Sequence, residues 1–162
     1  MMKNISLVSL CDLSNDDKLL ILEWRNHINV RVWMYNDKCI TMENHFKFIS
    51  TLNGNTEKKY FLVYEKNIKV GVIYFTNIDL SNKTAEFGLY ANPNLKGKGA
   101  ILMETIIDKA FYKLKVTKLF AEVFGDNKKA IMLYRQYNFI EYKKSYINHR
   151  EIIYMELKNE TR

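Results

Sequence analysis

Cysteine, proline and glycine are all scarce in this chain of 162 residues, which contains two, one and six of them. Two cysteines, Cys11 and Cys39, cannot build a disulfide scaffold, and they do not form the Cys-x-x-Cys pair of a redox or zinc site. The three histidines, His27, His45 and His149, stand apart without ligand spacing, so no metal is expected. No apolar run reaches membrane-spanning length. The opening Met-Met-Lys-Asn-Ile-Ser lacks the apolar core of a secretory signal. The expected setting is the reducing cytoplasm, with no membrane partner. Pro93 is the single proline, and neither a flexible linker nor an internal repeat divides the chain. It reads as one domain over residues 1–162.

What is present is a folded composition. Hydrophobic residues make up 48% and charged residues 27%, and 11 Tyr, 9 Phe and 2 Trp can fill a sizeable core. The net charge of +7 points to an anionic partner: nucleic acid, a nucleotide-bearing small molecule or an acidic protein. The basic residues are scattered in pairs, as at Lys58-Lys59, Lys128-Lys129 and Lys143-Lys144, rather than gathered in a block. That pattern places a nucleotide-bearing small molecule ahead of nucleic acid.

Residues 5–10 read as a strand. Ser14-Asn15-Asp16-Asp17 supplies helix-capping chemistry, with a helix from Lys18 to about Asn26. A second helix is expected from Thr41 or Met42 to Thr51, and a loop at Asn53-Gly54-Asn55. Residues 60–65 and 69–78 read as a hairpin turning at Lys66-Asn67. Residues 84–91 form the next strand, ending at Asn92-Pro93-Asn94. After Gly97 and Gly99, Ile101, Leu102, Thr105, Ile106, Lys109 and Ala110 recur at helical spacing. Residues 119–124 return to strand, Gly125-Asp126-Asn127 caps a helix over 128–136, and strands follow at 139–147 and 151–157, with His149 near their turn. Strand runs mixed with helical crossovers predict a mixed α/β (α+β) sheet covered by helices.

The chemistry concentrates between Glu86 and Glu104, where a strand runs into a glycine-containing loop that opens a helix. Free amides at a helix N-terminus point at an anion, and the helix dipole favours its charge. Gly97 and Gly99 would let backbone approach a phosphate, and Lys96 and Lys98 would add charge. The plain alternative is a glycine turn with a solvated lysine pair. There is no GxxxxGK[ST], so a Walker-type site is not expected, and no GxGxxG follows the first strand.

At these residues the chain resembles the GNAT (Gcn5-related N-acetyltransferase) superfamily. Asn94-Leu95-Lys96-Gly97-Lys98-Gly99 is similar to its Q/R-x-x-G-x-G/A signature, with Asn94 in place of Gln or Arg. Asn127-x-x-Ala130-x-x-Leu133-Tyr134-x-x-x-Asn138-Phe139 is similar to its N-x-x-A-x-x-L-Y-x-x-x-G-F segment. Asn138 replaces a glycine there, and Asn also tolerates a left-handed backbone. The resemblance implies a mostly antiparallel sheet splayed in a V and flanked by about four helices. It also implies acetyl-CoA as acyl donor. Lys96, Gly97, Lys98, Gly99, Ala100 and Ile101 would cradle the pyrophosphate. Phe87, Gly88, Leu89, Tyr90 and Ala91 would bind the pantetheine arm through backbone, one of their amides stabilising the oxyanion. Asn127 would contact the CoA arm, and Tyr134 would protonate the leaving thiolate. Read without the surrounding pattern, Tyr134 is a core tyrosine.

Amine acylation also needs a base, because an ammonium cannot attack a thioester. Glu122 is the candidate: alternation puts it with Phe120 and Phe124 on one strand face, and an apolar setting would make it a stronger base. Its alternatives are an ordinary exposed glutamate, or a water in its place. In the family the early helices line the acceptor, which makes Arg25 a candidate phosphate ligand and His45 a candidate assistant, each otherwise a surface residue, with Tyr74 and Thr76 as further candidates reaching the acceptor from their strand.

The segments Trp24-Arg25-Asn26-His27, Val32-Trp33-Met34-Tyr35 and Glu43-Asn44-His45-Phe46 narrow the resemblance. They look like the branch of ribosomal-protein N-terminal acetyltransferases and nucleotide-sugar acetyltransferases, and within it the bacterial enzymes of pseudaminic acid synthesis. That implies acetylation of the 4-amino group of UDP-4-amino-4,6-dideoxy-N-acetyl-β-L-altrosamine, by direct transfer in a ternary complex, for flagellin glycosylation. The expected protein is a monomer or homodimer with no nucleic-acid partner. The alternatives are an N-terminal protein acetyltransferase and, behind it, a non-enzymatic nucleic-acid-binding domain.

Overall fold

The structure, a computed structural model, describes residues 4–160. Seven strands, β1 (Ile5–Ser9), β2 (Lys59–Glu65), β3 (Ile68–Asp79), β4 (Thr84–Ala91), β5 (Lys118–Phe124), β6 (Ile140–Ile147) and β7 (Arg150–Lys158), form one sheet in the order β1-β2-β3-β4-β5-β7-β6. All neighbours run antiparallel except β4 and β5, which are parallel. The helices are α1 (Asn15–Asn26), α2 (Ile28–Arg31), α3 (Met42–Ser50), α4 (Gly99–Asp108) and α5 (Lys128–Gln136). No described helix is long and apolar enough to cross a membrane.

Local chemistry explains most boundaries. Ser14 caps α1 by accepting from the Asp17 amide, so the helix starts at Asn15 rather than Lys18, with Asp16 and Asp17 facing the positive end of its dipole. Thr41 caps α3 and Asn127 caps α5 in the same way. The first strand stops at Ser9, because buried Leu10 begins a short 3-10 turn. The four-residue α2 has too few turns to show a periodicity; the His27 ring caps it, accepting from the Asn29 amide. At the far end α4 widens into a π-turn, Lys109–Lys113.

Alternation along the strands builds two apolar layers. On one face Val63, Ile73, Phe75, Phe87 and Leu119 pack beneath Leu102, Met103 and Ile106 of α4 and Ile131 and Tyr134 of α5. On the other, Leu62, Val72 and Tyr90 pack beneath Ile21 and Trp24 of α1, Val30 of α2 and Ile49 of α3. These early helices cover the β1–β4 half. On the same face of β5 and its neighbours, Glu122 and Tyr142 are exposed and Phe120 and Tyr154 half-buried.

The parallel ladder between β4 and β5 is short. It pairs Thr84 with Lys118, Ala85 with Leu119 and Glu86 with Phe120, and then ends. Residues 87–91 stay paired to β3, while residues 121–124 stay paired to β7. The sheet therefore opens into a V, and backbone groups that would complete the ladder face the gap.

Candidate active site

The loop after β4, the candidate anion cradle, leads from the end of that strand into α4. Lys98 is the N-cap of α4 and makes no side-chain capping bond, which leaves the first amides of the helix, at Gly99, Ala100 and Ile101, without a side-chain acceptor. Gly97 has φ +71°, and a Cβ there would meet nothing, so its glycine serves conformation and not clearance. Gly99 has a different reason: a Cβ would lie 3.2 Å from Leu133 Cδ2, so this glycine lets α5 pack against α4. Lys98 is not a free phosphate ligand, because its Nζ pairs with Glu65 at 3.1 Å. Lys96 is exposed at the loop tip.

Asn127 closes the other side. Its Oδ1 accepts from the Ala130 amide at 3.2 Å, and no described bond engages its Nδ2. Asn138 has φ 72°, the left-handed conformation expected of it. Tyr134 of α5 is 8% exposed, its ring edge-on to Phe87 at 5.5 Å. Its hydroxyl makes no hydrogen bond to another described residue. Burial raises its pKa, and the nearby Tyr74 phenol raises it further, so the proton stays on at neutral pH. Tyr74 lies on the opposite face from Phe87, so this hydroxyl comes within electrostatic reach of both faces of the open sheet.

The acceptor face differs from expectation at its base. Glu122 is exposed rather than set in an apolar pocket, because the early helices stop short of β5. Its carboxylate neighbour is Glu86, half-buried on β4, whose register partner on β5, Phe120, stands two residues before Glu122. Burial raises the Glu86 pKa and Glu122 raises it further, while an Asn77 Nδ2 donated to Glu86 Oε2 opposes the shift. The Tyr35 hydroxyl donates to Glu122 Oε1, and its ring meets Phe124 edge-on at 5.5 Å.

Tyr35 arrives on the 32–41 segment, which is strapped over this face. Arg25 Nη2 donates to the Asn36 carbonyl at 3.0 Å, Arg31 Nη1 to Asp37 at 2.8 Å, and Arg150 Nη1 to Val32 at 3.2 Å. Asn26 exchanges two bonds with the Ile40 backbone. Arg25 is thus a brace, although its Nη1 is buried with no described hydrogen-bond partner. His45 is held between the early helices. It is 6% exposed, and its Nε2 lies 2.8 Å from the Lys18 carbonyl, tying α3 to α1; burial lowers its pKa.

Tyr74 stacks on Tyr60 at 4.6 Å and lies across Gly88, its cross-strand partner. A Cβ at Gly88 would sit 2.2 Å from Tyr74 Cζ, and the Tyr60 ring blocks retreat. Gly88→Ala is therefore expected to cost about 1–3 kcal/mol, read as a lowered Tm; an unchanged Tm would mean the Tyr74 ring is not confined. Thr76 pairs with Glu86 across the sheet, beside the bulge that carries Asn77 at φ 47°.

The model of the Acetyltransferase (GNAT) family matches residues 18–139. The chain belongs to the GNAT acetyltransferase family. Acetyltransferase PseH of Campylobacter jejuni subsp. jejuni serotype O:23/36 (strain 81-176) is 46% identical over 138 residues, 85% of this chain and 86% of the relative. The crystal structure of Campylobacter jejuni N-acetyltransferase PseH in complex with acetyl coenzyme A superposes with a TM-score of 0.80 at 39% identity, covering 96% of this chain and 99% of the other. A spermidine N-acetyltransferase from Vibrio cholerae, with CoA and spermine bound, has a TM-score of 0.85 at 19% identity over 97% and 96% of the two chains, a likeness of fold alone.

In this GNAT acetyltransferase, sequence reasoning missed Glu86, Asn77 and Tyr35. Glu86 alternates with Gly88 and Tyr90 on one face of a strand read correctly, which was a usable signal. The register that brings it to Glu122, and the path of the 32–41 strap, depend on tertiary pairing.

Proposed function

We propose that this chain is an acetyl-CoA-dependent N-acetyltransferase that acetylates the 4-amino group of UDP-4-amino-4,6-dideoxy-N-acetyl-β-L-altrosamine, for pseudaminic acid synthesis, in the cytoplasm. The observation that carries the chemistry is the V between β4 and β5, with an anion cradle at its mouth, a protonated phenol in its wall and a carboxylate pair at its apex. The likeness to PseH supports the acceptor.

In this reading the chain is one catalytic domain, monomeric or homodimeric, and requires no nucleic acid. Gly97 and the amides of Gly99, Ala100 and Ile101 hold the pyrophosphate, with Lys96 adding charge. The open edge of residues 87–91 grips the pantetheine arm and presents an amide to the oxyanion. Asn127 Nδ2 donates to the same arm. Glu122 takes a proton from the acceptor ammonium, the free amine attacks the thioester carbonyl, and Tyr134 protonates the departing thiolate. Thr76, Tyr74 and the unpaired Nη1 of Arg25 face the nucleotide sugar. His45 acts only by holding α3 against α1.

Thiol release from acetyl-CoA tests the acceptor. Rapid release is expected with the UDP-amino sugar and none with a ribosomal-protein N-terminal peptide. Release with the peptide alone would replace the acceptor and keep the donor.

A further inference from the structure

Glu86 stands where the β4–β5 ladder ends, in register with Phe120 on one side and Thr76 on the other. Each carboxyl of the Glu86 and Glu122 pair has one oxygen engaged by a neutral donor, Asn77 on Glu86 and Tyr35 on Glu122. The two carboxyls are neighbours on one face of the sheet: Glu122 lies two residues beyond Phe120, the register partner of Glu86, and its charge acts on Glu86. Two adjacent carboxylates repel each other, and a proton held between them relieves that repulsion. The pair thus offers a ready place for one proton at the apex of the V.

We infer that Glu86 and Glu122 form a single proton-accepting unit, in which Glu86 is a positioning residue acting through Glu122. The inference rests on the acetyltransferase reading above. The acceptor arrives as R–NH3+ at a pair carrying two negative charges. One N–H bond breaks, its electron pair staying on nitrogen, and the proton is held between the two carboxyls, leaving R–NH2 and a pair of charge −1. Relief of carboxylate repulsion makes the pair a stronger base than a lone glutamate. The amine then forms the C–N bond, and the C–S bond breaks with its electrons on sulfur. Tyr134 gives its proton to the thiolate and is reprotonated from the second N–H. The products are the amide and CoA thiol, and the proton on the pair passes to solvent.

The surroundings are consistent with this role. Tyr35 from the strap, Tyr142 of β6 and Tyr154 of β7 lie within electrostatic reach of the pair, and Glu156 of β7 is in register with Phe120. Lys118, Lys143 and Arg150, on this side of β5, β6 and β7, each have another partner. Lys118 pairs with Glu156 at 3.7 Å, Lys143 lies over the Tyr154 ring at 4.7 Å, and Arg150 pairs with Asp126 and lies 3.6 Å from the Phe124 ring centre. Neither carboxyl makes an ion pair with a described basic residue, which leaves the acceptor's own cation as their complement.

The test combines a substrate-free and a catalytic readout. In protein labelled with 13C at glutamate Cδ, the Glu86 resonance is expected to titrate above the ordinary carboxylate range and to fall by about one pH unit in Glu122→Gln. Identical Glu86 titration in the two proteins overturns the pairing. In thiol-release assays with acetyl-CoA and the UDP-amino sugar, Glu86→Gln, whose amide oxygen can still accept from Asn77, is expected to lower kcat/KM about tenfold near pH 6.5 and move the acid limb to lower pH. An unmoved acid limb overturns the inference while leaving Glu122 as base, provided Glu122→Gln is impaired. Full activity of Glu122→Gln overturns both. No turnover of the nucleotide sugar by the unaltered enzyme sinks the acceptor reading alone, because the titration still decides the pair.

Discussion

Tyr134→Phe will lower kcat by about a hundredfold and leave the affinity for acetyl-CoA unchanged. The ring lies against Phe87 and Phe139, at 5.5 and 5.8 Å, and phenylalanine preserves both contacts. The hydroxyl bonds to no other described residue, so its loss strands no buried partner and carries little structural cost. What disappears is a proton that burial and Tyr74 keep on oxygen throughout the working pH range. The thiolate must then leave unprotonated or wait for water. Calorimetry of acetyl-CoA binding beside thiol-release kinetics separates the two effects. Full kcat in the variant would return Tyr134 to core packing, and a weakened affinity with normal kcat would make it a binding residue.

The second large effect is on binding. Gly97→Asp will weaken acetyl-CoA binding by at least about a hundredfold, since like charges brought together cost several kcal/mol. The fold will persist, because a Cβ at this position meets no atom within 4 Å and aspartate tolerates a left-handed φ. Gly97→Asn isolates the charge: it has nearly the same shape and the same backbone demand, and is expected to keep most of the affinity. Equal loss in both variants would assign the effect to the backbone. Unchanged binding in the aspartate variant would remove the phosphate cradle from the mechanism.

Lys98 shows how charge in a motif can mislead. Placed beside two glycines it reads as a phosphate ligand, yet it reaches Glu65 of β2. In the proposed cradle, the helix amides and Lys96 then carry the anion. His45 likewise has a partner that residue order does not show. Its place in an early helix, which lines the acceptor in the family, suggests an assisting role, and in the structure its ring nitrogen lies against the Lys18 carbonyl of α1.

Features with short-range causes were legible from residue order. The bounds of β4 and α5 are those read from sequence, because Asn92-Pro93 ends the one and Asn127 caps the other. Asn138 adopts the left-handed turn that its place in the motif demands. The family, the glycine loop and the tyrosine of α5 follow from the same local patterns, since a cap, a turn or a helix N-terminus is built by residues a few positions apart.

The tertiary structure alone decided where the strands part and what meets there. The β4–β5 ladder ends after three pairs because β4 follows β3 while β5 follows β7, a competition no single segment encodes. That divergence opens the V, sets Glu86 beside Glu122, and leaves Glu122 in solvent where its apolar strand neighbours had predicted burial. Residue order specified the chemical groups through local forces. Their meeting depended on long-range register, which is set by the packing of the whole sheet.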